Sequence, residues 1–74
     1  MRVSLGERIR YLRRSRGMTQ KELALQLHVS HCAISRYEMG RAEPELSTLD
    51  DLSRLFRVDY NYLMDYRGSR EISK

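Results

Sequence analysis

The fold of this chain is decided by residues 20–37, which read QKELALQLHVSHCAISRY. Thr19 and Glu22 form a capping-box pattern immediately before an apolar run, which predicts the start of a helix. A turn of about three residues follows, and Ser30 is a favoured cap for a second helix. Two helices joined by so short a turn cross at a steep angle, so a small side chain is needed where they approach, and Ala24 is placed to provide it.

Similar signals recur along the rest of the chain, and no strand-like alternation persists for more than a few residues. Ser4 and Glu7 form another capping-box pattern, a segment begins just after Pro44, and Asp59 is a candidate cap for a last segment. We predict five short helices near residues 4–16, 20–27, 31–39, 46–56 and 60–65. Because no helix can bury its apolar stripe alone, we predict an all-α fold, a compact five-helix bundle around one core. The stripes contain Leu5, Ile9 and Leu12; Leu23, Ala24 and Leu27; Ala33, Ile34 and Tyr37; Leu49, Leu52, Leu55 and Phe56; and Leu63 with Met64 or Tyr60.

Length and composition exclude several classes of protein. Seventy-four residues permit one domain, and no apolar run approaches the ~18 residues of a membrane span. The single cysteine, Cys32, cannot form an internal disulfide, and with two histidines it cannot complete a zinc site. The N-terminal residues lack the apolar region of a signal peptide. We therefore expect a cytoplasmic protein with no metal, no other cofactor and no membrane contact.

The pattern also argues against an enzyme. The sequence has no paired-carboxylate arrangement, no glycine-rich phosphate loop and no nucleophile with a base beside it. We expect no catalytic residues.

The basic charge is concentrated in the first part of the chain. Residues 1–41 hold nine Lys or Arg and three Glu, a balance of +6, whereas residues 42–74 hold five basic and seven acidic residues. Twelve of the fourteen basic residues are Arg, which favours bidentate contacts with phosphates and base edges. This distribution indicates a polyanionic partner, although a solvated charged face would have the same composition.

The chain resembles the Cro/C1-type helix-turn-helix domains of phage repressors and bacterial transcription regulators. The resemblance covers about residues 4–66 and implies a lambda-repressor-like DNA-binding domain over residues 1–66, followed by a flexible tail or linker remnant at 67–74. The matching residues are Met18-Thr19-Gln20-Lys21-Glu22-Leu23-Ala24, Val29-Ser30, Ile34-Ser35-Arg36-Tyr37-Glu38, Gly40, Pro44, Leu49, Leu52, Leu55 and Val58-Asp59-Tyr60-Asn61-Tyr62-Leu63-Met64.

The resemblance implies a prokaryotic or phage regulator of transcription, more often a repressor. Such a protein binds a palindromic operator in double-stranded DNA as a homodimer, through the helix at about 31–39. Two alternatives stay open: the DNA-binding antitoxin of a toxin–antitoxin pair, and a protein-interaction adaptor. The protein partner would be a toxin or an antirepressor, and a pure adaptor would show no salt-dependent affinity for DNA.

The helix at 31–39 has two distinct faces when residues are placed 100° apart. Ile34 points to the core, and four side chains point away from it. The resemblance assigns base contacts to these four, which are His31, Cys32, Ser35 and Arg36. Arg36 suits guanine O6 and N7, although a phosphate or a surface ion pair would also use it. Cys32 suits a thymine methyl group, with a redox-sensing thiol as the alternative.

Residues on both sides of this helix are expected to hold the DNA backbone. They are Gln20, Lys21, Ser30, Gly40 and Arg41. Gln20 opens a helix whose N-terminus favours an anion, and the resemblance implies that it also buttresses the base-reading helix. Lys21 and Arg41 are alternatively solvated charges.

Arginines of the first helix are expected to differ in role. Arg13 lies at the edge of the buried stripe, and the resemblance aligns it with an arginine that pairs with the glutamate at Glu38. We therefore expect an Arg13–Glu38 structural ion pair. Arg10 and Arg14 lie towards the opposite face and are expected to be solvated.

Two further expectations concern the turn at His28 and the contact between two copies of the chain. His28 stands where the family usually has glycine, in a turn position that needs a positive φ. Tyr60, Tyr62 and Tyr66 are candidates for a dimer interface, with packing inside the domain as the alternative.

Overall fold

The computed structural model describes residues 4–64, and this part of the chain folds into five α-helices without a strand. The all-α, five-helix prediction is confirmed, and α2, α3 and α4 have the predicted bounds. The tail at 67–74 lies outside the described residues. The helices are α1 Leu5–Ser15, α2 Gln20–Leu27, α3 His31–Met39, α4 Leu46–Phe56 and α5 Tyr60–Leu63.

The first three helices begin with the side-chain caps that the sequence predicts. Ser4 and Thr19 each accept a hydrogen bond from the backbone N–H of a glutamate three residues later, Glu7 and Glu22, whose carboxylates accept the cap N–H in return. Both capping boxes are thus complete. Ser30 caps α3 with its hydroxyl.

Asp59 does not cap α5 with its side chain. It occupies the predicted N-cap position, but its carboxylate makes no capping hydrogen bond, so only the position of the cap is confirmed. The four-residue α5 is held instead through Leu63, which is 1% exposed in the core.

Four helix ends share one backbone pattern, in which a residue with positive φ is followed by a hydrogen bond back into the last turn. The left-handed residues are Gly17, His28, Gly40 and Arg57. The returning hydrogen bonds run from the N–H of Met18 to Arg13 O, Val29 to Ala24 O, Arg41 to Arg36 O and Val58 to Ser53 O, at 2.8–3.1 Å. The positive φ predicted at His28 is confirmed, at 58°, whereas the positive φ at Arg57 was not predicted.

The core draws on the apolar stripes of all five helices. Its ten buried side chains are Ile9, Leu12, Leu23, Ala24, Leu27, Ile34, Leu49, Leu52, Phe56 and Leu63. Leu5, Tyr37 and Leu55 pack half-buried at its edge. Beside Leu63, Met64 packs against the core, whereas Tyr60 is 45% exposed.

Helix α1 lies directly on the C-terminal turn of α3, and Gly6 makes this approach feasible. A Cβ atom at Gly6 would lie 2.3 Å from the carbonyl oxygen of Tyr37 and 2.8 Å from that of Glu38. Real Cβ atoms do not come so close to backbone oxygens, so any larger residue would push the two helices apart.

We predict that Gly6→Ala destabilises the fold by about 2–3 kcal/mol, because backbone rather than a flexible side chain blocks the added methyl group. Gly17→Ala is the matched control. Its φ is +67° but nothing lies within 4 Å of the added Cβ, so it should cost only about 1–2 kcal/mol of backbone strain. Urea unfolding measures both, and a Gly6→Ala loss no larger than that of Gly17→Ala would contradict the close approach.

We also predict that His28→Gly is neutral or stabilises the domain by up to ~1 kcal/mol, because glycine adopts positive φ without strain. His28 is exposed, so few contacts are lost with its ring. A loss above ~1 kcal/mol in the same unfolding experiment would show that the His28 side chain stabilises the turn.

Candidate nucleic-acid interface

A buried carboxylate lies at the junction of α1, α2 and α3. Glu38 is 3% exposed, and both of its oxygens accept hydrogen bonds from Arg13, which is 8% exposed. Arg13 Nε donates to Oε2 at 2.5 Å and Nη2 donates to Oε1 at 3.1 Å. The remaining Nη1 donates to the carbonyl of Met18 at 2.8 Å. The structure therefore brings together the two residues expected to form a structural ion pair.

Arg10 also faces this carboxylate, so the expectation that it is solvated is wrong. Its Nε lies 3.6 Å from Glu38 Oε1, and its Nη2 donates to the Glu38 carbonyl at 3.4 Å. The close packing of α1 at Gly6 brings positions three residues apart, Arg10 and Arg13, to the same end of α3. The spacing of three residues between Arg10 and Arg13 was the sequence signal that could have predicted the contact of Arg10 with Glu38. Arg14 is exposed, as expected.

Opposing effects act on the pKa of Glu38. Burial raises it, but the hydrogen bonds from Arg13 and Gln20 and the positive charges of Arg13 and Arg10 lower it by more. The pKa therefore lies below the ordinary value of 4.5, and the carboxylate is ionised near neutral pH.

Gln20 connects this buried carboxylate to the protein surface. Its amide Nε2 donates to Glu38 Oε1 at 3.0 Å, and its Oε1 lies 3.1 Å from Nε2 of the exposed His31. Gln20 was expected to contact the DNA backbone and to buttress α3, and the structure places its side chain between two protein groups. Its main-chain N–H is at the start of α2, where it has no acceptor within the helix.

The four side chains predicted to contact bases lie on the face of α3 opposite the core. Ile34 is fully buried on the inner face. On the outer face, Ser35 is half-buried and the other three are exposed: His31, Cys32 and Arg36. Within residues 4–64 the Arg36 side chain makes no ion pair or hydrogen bond, which leaves its guanidinium available to an external partner.

Arg41 is held at a fixed place beside α3. Three of the four similar helix ends bring an apolar residue back to the core, namely Met18, Val29 and Val58. After α3 the equivalent residue is Arg41, which is exposed, while its N–H donates to Arg36 O at 2.8 Å. Left-handed Gly40 makes this return possible. The helix end therefore places Arg41 directly after the last turn of α3.

The remaining residues predicted to contact the DNA backbone lie at the other end of α3. Lys21 and Ser30 are both exposed. The hydroxyl of Ser30 already accepts the N–H of Ala33 at 3.0 Å, and its own hydrogen is free to be donated.

The candidate dimer tyrosines differ in environment. Tyr60 is exposed, whereas Tyr62 is half-buried and has the Arg8 guanidinium 4.3 Å from its ring centroid. Packing inside the domain thus occupies one face of Tyr62. Tyr66 lies outside the described residues.

Within residues 4–64, no helix has the length and apolar surface needed to cross a membrane. In the same range, no three His, Cys, Asp or Glu side chains are grouped so that they could hold a metal ion.

The chain is similar to known transcriptional regulators over most of its length. The sequence model of the helix-turn-helix family matches residues 9–63. The HTH-type transcriptional regulator ImmR of Bacillus subtilis (strain 168) is 39% identical over 72 residues, which are 97% of this chain and 54% of ImmR. The HTH-type transcriptional activator BcrR of Enterococcus faecalis is 36% identical over 62 residues, 84% of this chain and 30% of BcrR. The chain thus spans about half of one curated relative and less than a third of the other.

The fold is also that of a solved repressor. A crystal structure of the P22 c2 repressor protein in complex with a synthetic operator superposes with a TM-score of 0.81 and 33% sequence identity. The match covers 85% of this chain and 96% of that one.

We predict that Glu38→Gln destabilises the domain by about 3–5 kcal/mol near neutral pH, because it leaves the buried Arg13 charge without its counter-ion. The exposed Asp50–Arg54 pair, at 3.0 Å, supplies the control, since Asp50→Asn should cost below ~1 kcal/mol. The pKa of Glu38 is lower in the folded than in the unfolded protein. Its contribution to the free energy of unfolding is therefore complete above about pH 4.5 and is lost as the pH falls through the folded-state pKa. Unfolding at a series of pH values should show the gap between wild type and Glu38→Gln narrowing below that pH. A gap independent of pH would rule out this linkage.

Proposed function

The chain belongs to the helix-turn-helix family, and from this premise we propose that it is a sequence-specific transcription regulator that binds double-stranded DNA and acts as a repressor. The observation that carries the proposal is the outer face of α3. Three of its side chains are exposed, namely His31, Cys32 and Arg36. On the inner face, Ile34 is buried in the core. The similarity to the P22 c2 repressor, which was solved in complex with a synthetic operator, supports the same assignment.

Helix α3 is the recognition helix of this proposal. The major groove is about 12 Å wide and admits one α-helix, whose N-terminal residues contact base edges. Arg36 forms a bidentate pair with guanine O6 and N7, which discriminates by about 1–3 kcal/mol against another base. His31 and Ser35 hydrogen-bond base edges, and Cys32 contacts a thymine methyl group.

Backbone contacts position this helix without reading sequence. Arg41 lies beyond the C-terminal end of α3, and Lys21 lies on the first turn of α2, where the N-terminal N–H groups favour a phosphate. Gln20 offers its main-chain N–H at the same place, and Ser30 offers its hydroxyl hydrogen. The +6 balance of residues 1–41 supports association with a polyanion.

Repression follows from occupancy. A homodimer places two recognition helices on half-sites ~34 Å apart in a palindromic operator and excludes RNA polymerase. Exposed Tyr60 is a candidate contact between the two copies. Since the relative BcrR is a transcriptional activator, a reporter assay with the operator moved relative to the promoter tests whether this protein represses or activates transcription. The proposal contains no catalytic step and places the protein in the cytoplasm with its DNA.

We predict that Arg36→Ala and Arg41→Ala weaken DNA binding in different ways. Arg36→Ala should flatten the preference at one base pair of each half-site, because it removes a base contact. Arg41→Ala should weaken all duplexes alike and reduce the slope of log affinity against log salt by about 0.9 per lost phosphate contact. Selection of bound duplexes from a random pool, followed by salt titration, measures both effects.

Arg14→Ala is the matched control, because Arg14 is exposed on α1 and has no role in the interface. It should leave the selected motif unchanged. A motif from Arg36→Ala identical to that of the wild type would contradict the base contact, and absence of salt-dependent binding by the wild type would contradict the function.

A further inference from the structure

The hydrogen bond between Gln20 and His31 has a direction, and the buried carboxylate of Glu38 sets it. An ionised carboxylate only accepts hydrogen bonds. Glu38 Oε1 lies 3.0 Å from one end of the Gln20 amide, so that end must be the NH2 group. If the amide were reversed, its carbonyl oxygen would face the carboxylate and two acceptors would be in contact. The other end of the amide, which faces His31, is therefore the oxygen.

This direction fixes the hydrogen on the His31 ring. Gln20 Oε1 is an acceptor 3.1 Å from His31 Nε2, so Nε2 must carry a hydrogen. In a neutral imidazole only one nitrogen is protonated, and the other is an acceptor. Within residues 4–64 the ring makes no second hydrogen bond, and His31 is exposed at the first position of α3. Its Nδ1 is thus an unoccupied acceptor.

We propose that His31 is a specificity-determining residue that accepts a hydrogen bond at Nδ1 from a base amino group, adenine N6 or cytosine N4. The inference rests on the proposed function, since it requires α3 to lie in the major groove. Adenine and cytosine present an amino donor in that groove, whereas guanine and thymine present the acceptors O6 and O4 at the same edge. At the base that the ring contacts, the protein therefore selects A or C over G or T.

Gln20 acts here as a positioning residue. A free imidazole exchanges its hydrogen between the two nitrogens, so it can meet a donor or an acceptor. The hydrogen bond to Gln20 removes that choice, because the other tautomer would turn a lone pair of Nε2 towards the amide oxygen. The hydrogen-bonding character of the exposed His31 ring thus depends on the protein interior. Arg13 on α1 holds Glu38 on α3, Glu38 orients the Gln20 amide on α2, and Gln20 fixes the ring hydrogen.

The ring state is testable on the free protein. Nitrogen-15 NMR at about pH 8.5, where a free imidazole is neutral, reports which ring nitrogen carries the hydrogen. We expect His31 entirely in the Nε2–H form, and exposed His28 as the internal control with an averaged signal from both forms. In Gln20→Met the His31 signal should shift towards that of His28. A wild-type His31 signal averaged like that of His28 would overturn the inference.

Base selection tests the consequence. Duplexes selected at about pH 8.5 by the wild type and by His31→Ala identify the base position that depends on His31. At that position the wild type should favour A or C over G or T by roughly three- to tenfold, the effect of one hydrogen bond. Gln20→Met should bring this ratio towards one. Lys21→Met, the same substitution at the next residue, should weaken binding while keeping the ratio.

The outcomes separate the two proposals. If the wild type binds no duplex in a salt-dependent way, the proposed function and this inference both fail. If it selects a motif in which no position depends on His31, or in which that position is G or T, this inference fails and the proposed function stands.

Discussion

The ionised carboxylate of Glu38 is buried where α1, α2 and α3 meet. A buried charge is stable only when its partners are close and well oriented. Arg13 supplies two hydrogen bonds from α1, Gln20 supplies one from α2, and Arg10 adds a second positive charge. Because Glu38 itself belongs to α3, these contacts fix three helices relative to one another. Gly6 allows α1 to come near enough for the arginines to reach.

The same arrangement connects the interior to the outer face of α3. The apolar inner face and Glu38 hold α3 in place, so its outer side chains are presented at fixed positions rather than by a mobile segment. The end of α3 is fixed as well, because left-handed Gly40 allows the N–H of Arg41 to bond back to Arg36 O. In the other three helix ends the equivalent position is apolar and packs on the core. After α3 this position holds the exposed Arg41 instead.

Most of the features that the sequence predicted correctly are local. Capping boxes at Ser4 and Thr19, the apolar stripes, and the glycine-like position of His28 depend on residues a few places apart, and each was predicted. The outer face of α3 follows from helical periodicity alone. By contrast, the contact of Arg10 with Glu38 and the need for glycine at position 6 depend on the distance between α1 and α3, which periodicity does not contain. The positive φ of Arg57 was not predicted, because it is not a glycine or an asparagine. Asp59 is at the predicted N-cap position, but its side chain makes no capping hydrogen bond. The hydrogen bonds from Glu38 through Gln20 to His31 depend on how far side chains on α2 and α3 reach. The family resemblance therefore implied only that Gln20 supports α3, and not which groups it contacts.

The coupling free energy between Arg13 and Glu38 tests most directly whether this buried pair governs the fold. A double-mutant cycle with Arg13→Met, Glu38→Leu and the double variant, followed by equilibrium unfolding, measures it. Each single variant leaves one buried charge without its partner, whereas the double variant removes both charges. We predict that the double variant is more stable than the sum of the two single losses implies, by about 2 kcal/mol or more. Single effects that add to within about 0.5 kcal/mol would contradict it.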